Sequence, residues 1–545
     1  MENTFGISDK AEGIKKRLIP LNLSHPKKCT ILIVMNMVLL AILLLQFYPS
    51  SGDRIQSHYV TSQAISIAIS KINYGLDNGY SGYRNVLDEL LKIESGGDTG
   101  ILISRINIAI DKTLHLPDVT SAGLHYMPNL PTWSDFVTMA YFIFGPNAKS
   151  IFYLYMMLLT VSILVFIMTF RYDPRYLYVS LVFIATFIVV INAPAVVAMT
   201  RVCHRFWSYL AIMPALYIAI LFIDRHQLTV WKFLGALIQA LMLVFIIHVR
   251  NVAIYSFVFL FMIIPLFIYI KYYIKSRESN VLKFFIKKIS AWPLVLLLVC
   301  FIAMNMYKQE KLSPDYSNIK AGYPFWHMIY VSFVAHPDAC IKYKNCRFSD
   351  AVAYKFVEEK MGKTFNYDEL YNDLTIGRNP KEAEFIIFFS PIYGRILRDE
   401  VIRIIKEDTW FFISSFYYKI KLFSGVYKKG CDGIGGYISP VHPVYKNFIP
   451  QFNTRWFLTS IVVAGFFLAK NSQREWHGNF SIVSLMFLSA FIMLLLAYPH
   501  YSTIMDPSFT LTAMIFIIIS MVVYYLWCFI MMIQKHISNR SLTIS

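Results

Sequence analysis

Along the chain, long apolar runs without a single charge alternate with stretches in which apolar residues return every three or four positions. The unbroken runs are the stronger signal. ILIVMNMVLLAILLLQF (31–47), IFYLYMMLLTVSILVFIMTF (151–170) and LVFIATFIVVI (181–191) contain no charged residue. Crossing a bilayer takes roughly 20 such residues. Ten candidate spans follow, near 31–48, 150–170, 176–193, 206–223, 233–248, 252–270, 290–307, 456–469, 480–498 and 510–533. The first is too long and too far from residue 1 for a signal peptide, and no small-residue cleavage site follows it, so it reads as a retained span.

Between the runs the period changes. SHYVTSQAISIAISKI (57–72) has apolar positions at helical spacing, as expected of a helix lying on a membrane face. NVLDELLKI (85–93) and GILISRINIAIDKTLHL (100–116) look similar, and the turn-rich MPNLPTWS (127–134) leads through DFVTMAYFIFGPN (135–147) into the second span. Later, DAVAYKFVEEKMG (350–362) and GRILRDEVIRIIKEDTWFFISSFYYKIKLF (394–423) read as amphipathic helices. EFIIFFSPIYG (384–394) is apolar but too short to cross, so it is expected to be buried or interfacial. In Arg395, Arg398, Asp399, Glu400 and Arg403, Asp399 has an arginine four residues away on each side, a pattern that predicts i,i+4 ion pairs on an exposed face.

Composition agrees with a membrane class. Of 545 residues, 57% are hydrophobic and 15% charged, against about 45–50% and 25% in soluble domains. The net charge of +18 raises nucleic acid as a partner, but its placement argues against one. With the N-terminus inside, the short inner segments hold 20 Lys and Arg, and the short outer loops hold three, Arg201, Arg205 and Arg250. That asymmetry is the positive-inside signature. The expected class is therefore an all-α integral membrane protein of about ten transmembrane helices, in the cell inner membrane, with both termini cytoplasmic. A basic tail (1–30) precedes a core of about seven spans (31–307) that includes an outer loop at 49–149. An outer, periplasmic helical segment (308–455), three final spans (456–533) and a short cytoplasmic tail (534–545) follow, and both outer segments contain amphipathic helices. Of seven cysteines, Cys29, Cys203, Cys300 and Cys528 lie in or near spans, while Cys340 and Cys346 stand close together in an outer segment where a disulfide can form. No cysteine–histidine spacing suggests a metal site, and nothing requires a cofactor.

The spans hold almost no Asp, Glu, Lys or Arg, whereas ion-coupled transporters place such groups at mid-membrane. Titratable residues collect instead at the outer ends. Asp53, Arg54 and His58 follow the first span; Arg201, His204 and Arg205 precede the fourth; His248 and Arg250 close the fifth; His500, Tyr501 and Asp506 join the last two.

This layout resembles the GT-C fold, integral-membrane glycosyltransferases that use polyprenyl-phosphate sugars. DFVTMAYFIFGPNAKSIFYLYMMLLTVSILVFI (135–167) looks like their block of a short helix ending in "FG" before the next span. GYPFWHMIYVSF (322–333) is similar to an element after the seventh span, and PHYSTIMDP (499–507) to a late outer loop. MPNLPTWS departs from the Arg-x-Pro-x-Tyr-Pro often found before "FG", and Asp53 stands alone where relatives often have two adjacent acids. The resemblance covers roughly residues 30–340 and the late loop. It implies transfer of a sugar from a polyprenyl-phosphate donor to an envelope glycan, lipid or protein acceptor on the outer face.

Chemistry assigns the parts. A polyprenyl phosphate cannot leave the bilayer, so the reacting sugar must sit at its surface. An acceptor hydroxyl needs a carboxylate to take its proton, and Asp53 is the candidate base. The departing phosphate needs fixed cations and hydrogen-bond donors. Arg250, Arg201 and Arg205 are the candidate clamps, with His204, His248, His500 and Tyr501 as further donors. Blander readings stand beside these: a solvated loop acid for Asp53, arginines snorkelling to headgroups, an interfacial belt pair for His500 and Tyr501, and a packed helix for Trp326 and His327. An O-antigen polymerase or ligase would rely more on outer-loop Arg and His. A transporter or a non-catalytic membrane protein is the remaining alternative.

Overall fold

The fold is described from a computed structural model, over residues 24–46, 54–55, 59–75, 93, 97–115, 130–190, 209–223, 228–249, 255–266, 290–311, 325–343, 350–362, 391–423, 452–469, 515–527 and 529–534. The regular structure among these residues is helical apart from one two-residue antiparallel ladder, β1 (Arg54–Ile55) on β2 (Gly97–Asp98), in which Arg54 faces Asp98.

In chain order, α1 is His25–Gln46, α2 Tyr59–Tyr74, α3 Thr99–Thr113, α4 Leu130–Phe144, α5 Ala148–Thr169, α6 Pro174–Val190, α7 Ile212–Ile223 and α8 Val230–Val249. Then come α9 (Tyr255–Val258, continued by a π-turn over Phe259–Ile263) and α10 (Trp292–Lys311). Next are α11 (Phe325–Ser332), α12 (Ala339–Tyr343), α13 (Asp350–Met361), α14 (Pro391–Glu407), α15 (Thr409–Phe423) and α16 (Phe452–Ala469). A helix over Ile515–Gln534, α17, is the last.

Among the described residues, five helices are long and apolar enough to cross a membrane: His25–Leu45, Lys149–Thr169, Val230–Val249, Trp292–Glu310 and Ile515–Gln534. Three shorter apolar helices, Pro174–Val189, Tyr209–Ile223 and Phe457–Ala469, fall on other expected spans. As described, α7 with 12 residues and α6 with 17 reach about 18 and 26 Å against a hydrocarbon core of about 30 Å. The run at 252–270 is described over 255–266 and carries the π-turn, and 480–498 lies outside the described residues.

The "FGPN" block has a plain physical reading. Gly145, with φ of 80°, ends α4 as its N–H reaches back to Tyr141 O at 2.9 Å, the left-handed cap that glycine takes without strain. Asn147 then caps α5, its side chain accepting Lys149 N–H at 2.6 Å. The α5–α6 turn closes similarly: Asp173 accepts Arg175 N–H at 3.0 Å, ahead of Pro174 at the first helical position.

One core gathers α1 to α10 with α16 and α17. Here α1 packs on α6 and α16, α4 on α2 and α5, and α8 on α10 and α7. Polar pairs cross the apolar contacts. Asn36 on α1 donates to Leu177 O at 3.0 Å and accepts from Ser180, both on α6, while Ser162 on α5 and Gln239 on α8 exchange two bonds of 2.8 Å. Such pairs are worth about 0.6 kcal/mol each between membrane helices, and they fix register. Gly235 allows α7 to approach α8, since a Cβ there would collide with the Tyr217 hydroxyl.

A second core is built by α11 to α15, with Tyr330, Phe333, Tyr393, Leu397, Val401 and Phe411 buried at its centre. Trp326 and His327 belong to this packing. His327 is buried and its Nδ1 meets the Tyr393 hydroxyl. The stretch at 394–423 is not one helix. Asp408 interrupts it and caps α15, its carboxylate accepting Phe411 N–H at 3.0 Å. The ion pairs also differ from the expected pattern. Asp399 is held by its neighbour Arg398 at 2.8 Å, because the Arg403 fork is occupied by Glu400 at 2.6 Å and by Glu407. Cys340 is disulfide-bonded; Cys346 lies outside the described residues.

Candidate functional site

Four helices meet where α8 ends. The link from α4 is Trp133, buried in the first turn, whose indole N–H donates to Val249 O at 2.6 Å. The last carbonyls of a helix have no intrahelical donor, so the indole acts as a cap on α8. Two residues on, Asp135 uses both oxygens: Oδ1 faces Lys71 Nζ of α2 at 2.7 Å, and Oδ2 accepts the hydroxyl of Tyr307 on α10 at 2.7 Å. Lys71 and Asp135 are each about four-fifths withdrawn from solvent, with 17% and 21% exposure. A single carboxylate thus ties α2, α4 and α10 together beside the α8 terminus.

His248 completes the group. Its ring is 5% exposed and stacks on Phe301 of α10, centroids 5.3 Å apart and planes 26° from parallel. Among the described residues its buried Nε2 has no hydrogen-bond partner. Lys308, next to Tyr307, lies within electrostatic reach of that ring. An unsatisfied buried polar atom costs about 1–3 kcal/mol, so a ligand atom that satisfied Nε2 would recover part of that cost. The assembled set, two ammonium groups, an imidazole, a phenol and a carboxylate, can hold an anion and position hydroxyls. Asp135 is not a free base, because both its oxygens are engaged. Among the described residues, no group of three or more His, Cys, Asp or Glu side chains is arranged to hold a metal ion.

Of the residues expected at the site, His248 is the one described. Asp53, Arg201, His204, Arg205, Arg250, His500 and Tyr501 lie outside the described residues. The chain places two of them next to described backbone: Asp53 directly precedes the ladder strand at Arg54, and Arg250 directly follows Val249. Sequence reasoning passed over Asp135, Lys71, Tyr307 and Lys308. The available signal was a lone acid at the head of an apolar helix in TWSDF, matched by a lone lysine in the last turn of α2.

A second constellation has the residue types of a nucleophile and base but the wrong polarity. The Asp338 N–H donates to His336 Nδ1 at 3.1 Å, so Nε2 carries the proton and donates to Ser414 Oγ at 3.0 Å. Ser414 in turn donates to Trp410 O at 2.7 Å. The imidazole therefore has no lone pair to accept the serine proton. This is a satisfied packing network, in which burial pushes the His336 pKa below its ordinary value while the Asp338 carboxylate opposes the shift.

No protein-family model, curated protein or solved structure matches the chain.

Proposed function

We propose that the chain is a membrane glycosyltransferase of the GT-C type, moving a sugar from a polyprenyl-phosphate donor to an envelope glycan, lipid or protein acceptor at the outer face of the cell inner membrane. The observation that carries this reading is the grouping of Lys71, Asp135, Tyr307 and His248 around the Val249 end of an apolar helix, one residue before Arg250. A lipid-carried donor presents its phosphate at that depth, where the open Nε2 of His248 and the Arg250 guanidinium would bind it. Asp53 takes the acceptor proton. Lys71, Asp135 and Tyr307 hold the helices that meet at this end of α8. Arg201, Arg205, His204, His500 and Tyr501 complete the phosphate and sugar contacts.

The test compares envelope glycans, by mass, in cells lacking the protein and in the same cells given wild type, Asp53→Asn or Arg250→Ala. A glycan difference restored by wild type and by neither variant supports the reading. Restoration by Asp53→Asn removes the assigned base. Loss in Arg250→Ala with normal function in Asp53→Asn points to an O-antigen polymerase or ligase.

A further inference from the structure

We propose that helix α15 lies in the membrane–water interface with Trp410, Ile413 and Tyr417 seated among lipids. This goes beyond the transfer reaction and does not rest on it. The three residues are 76%, 52% and 54% exposed, and at 100° per residue they fall within an arc of about 60° on one face. The opposite face is accounted for, since Phe411 and Ser415 are buried. From 409 to 418 the sequence TWFFISSFYY has no charged residue. At the head of the helix Asp408 is paired with Lys342 at 2.7 Å, so it brings little net charge toward an apolar phase.

The neighbouring helix sharpens the contrast. On α14 the exposed positions include Arg395, Arg398, Asp399 and Lys406, a face suited to water. Two helices of one small core thus present opposite chemistries, which a core immersed in water alone would not favour. The bilayer is the occupant within constant reach. The chain between Lys311, at the end of the membrane-crossing α10, and Phe325 can extend at most about 50 Å. The identities fit as well: Trp and Tyr, apolar rings with a polar tip, concentrate at headgroup depth, and the i, i+3, i+7 spacing is that of an interfacial helix.

The test places a spin label at position 410, 413 or 417 of the full chain, in vesicles of phosphatidylcholine with phosphatidylglycerol, and at Arg398 for comparison. Collisions with oxygen and with a water-soluble nickel chelate are then measured. Lipid seating gives high oxygen accessibility and several-fold lower nickel accessibility than at position 398. Nickel accessibility equal to that at 398 overturns the proposal in favour of a solvated face. Shielding from both reagents overturns it in favour of a protein cover, either a second copy or another segment. A conservative check uses unlabelled protein in brominated phosphatidylcholine. Trp410→Phe should remove a quenchable share of the tryptophan emission, and unchanged quenching counts against lipid contact.

Discussion

The indole of Trp133 caps the carbonyl of Val249 across 116 positions of sequence, at 2.6 Å. Because Val249 ends α8 and Trp133 lies in the first turn of α4, this bond anchors the helix end that carries His248. Trp133→Phe keeps most of the packing but strands the carbonyl. We expect a loss of about 1–3 kcal/mol, read as a lower unfolding temperature in lipid nanodiscs, with a drop in any transfer activity. Trp231→Phe, at a ring 81% exposed, should change neither.

Asp135→Asn leaves one acceptor oxygen where two are needed, for Lys71 and for the Tyr307 hydroxyl. We expect the variant to fold, lose the α2 tie and show reduced function in the glycan comparison. In a double-mutant cycle with Lys71→Met the coupling should be about 0.5–1 kcal/mol, near the upper end for partly exposed pairs. A coupling of zero would mean that the ion pair does not hold α2 to α4.

Acid should loosen the second core. His336 is held neutral, its pKa lowered chiefly by burial from the ordinary histidine value of 6.5. The unfolded chain therefore takes up a proton at higher pH than the folded one. Stability is complete above 6.5 and declines as pH falls toward the lowered folded value. Asp408, lowered from 3.8 chiefly by its bond to Lys342, adds a second loss only at more acid pH. Hydrogen exchange of α15 amides followed from neutral pH downward should show protection falling below about pH 6.5, and His336→Gln should flatten that slope.

Two glycines should respond in opposite ways to alanine. At Gly465 a Cβ would lie 2.5 Å from Leu181 Cδ2, so the Leu181 side chain must shift or α16 and α6 must separate. Overpacking of this kind costs about 1–3 kcal/mol. At Gly394 nothing lies within 4 Å, and alanine should stabilise α14 by about 0.5–1 kcal/mol. Thermal unfolding of the two variants beside wild type checks both signs.

Periodicity and apolar run length account for most of the helices. The expected helix at 57–72 is found as Tyr59–Tyr74, that at 100–116 as Thr99–Thr113, and that at 350–362 as Asp350–Met361. The features that escaped notice depend on single polar atoms. The break at Asp408 sits inside an unbroken amphipathic pattern and exists because a carboxylate can cap the next turn. Asp399 has arginines at the favourable spacing, yet the competition of Glu400 and Glu407 for Arg403 settles the pairing. The Asp135 links span 64 and 172 positions, and no local pattern encodes a contact at such separation.

Asn36 carries a consequence for biosynthesis. Its amide is satisfied by Leu177 and Ser180, residues made more than 140 positions later. During translation α1 is made before α6, and the Leu32 carbonyl one turn back, at 2.7 Å, is the acceptor Asn36 has within its own helix. A strongly polar side chain half-matched in an apolar helix would leave α1 unfinished until α6 is threaded. The rotation of α1 about its own axis is thus chosen late, by a helix still unwritten when α1 has been made.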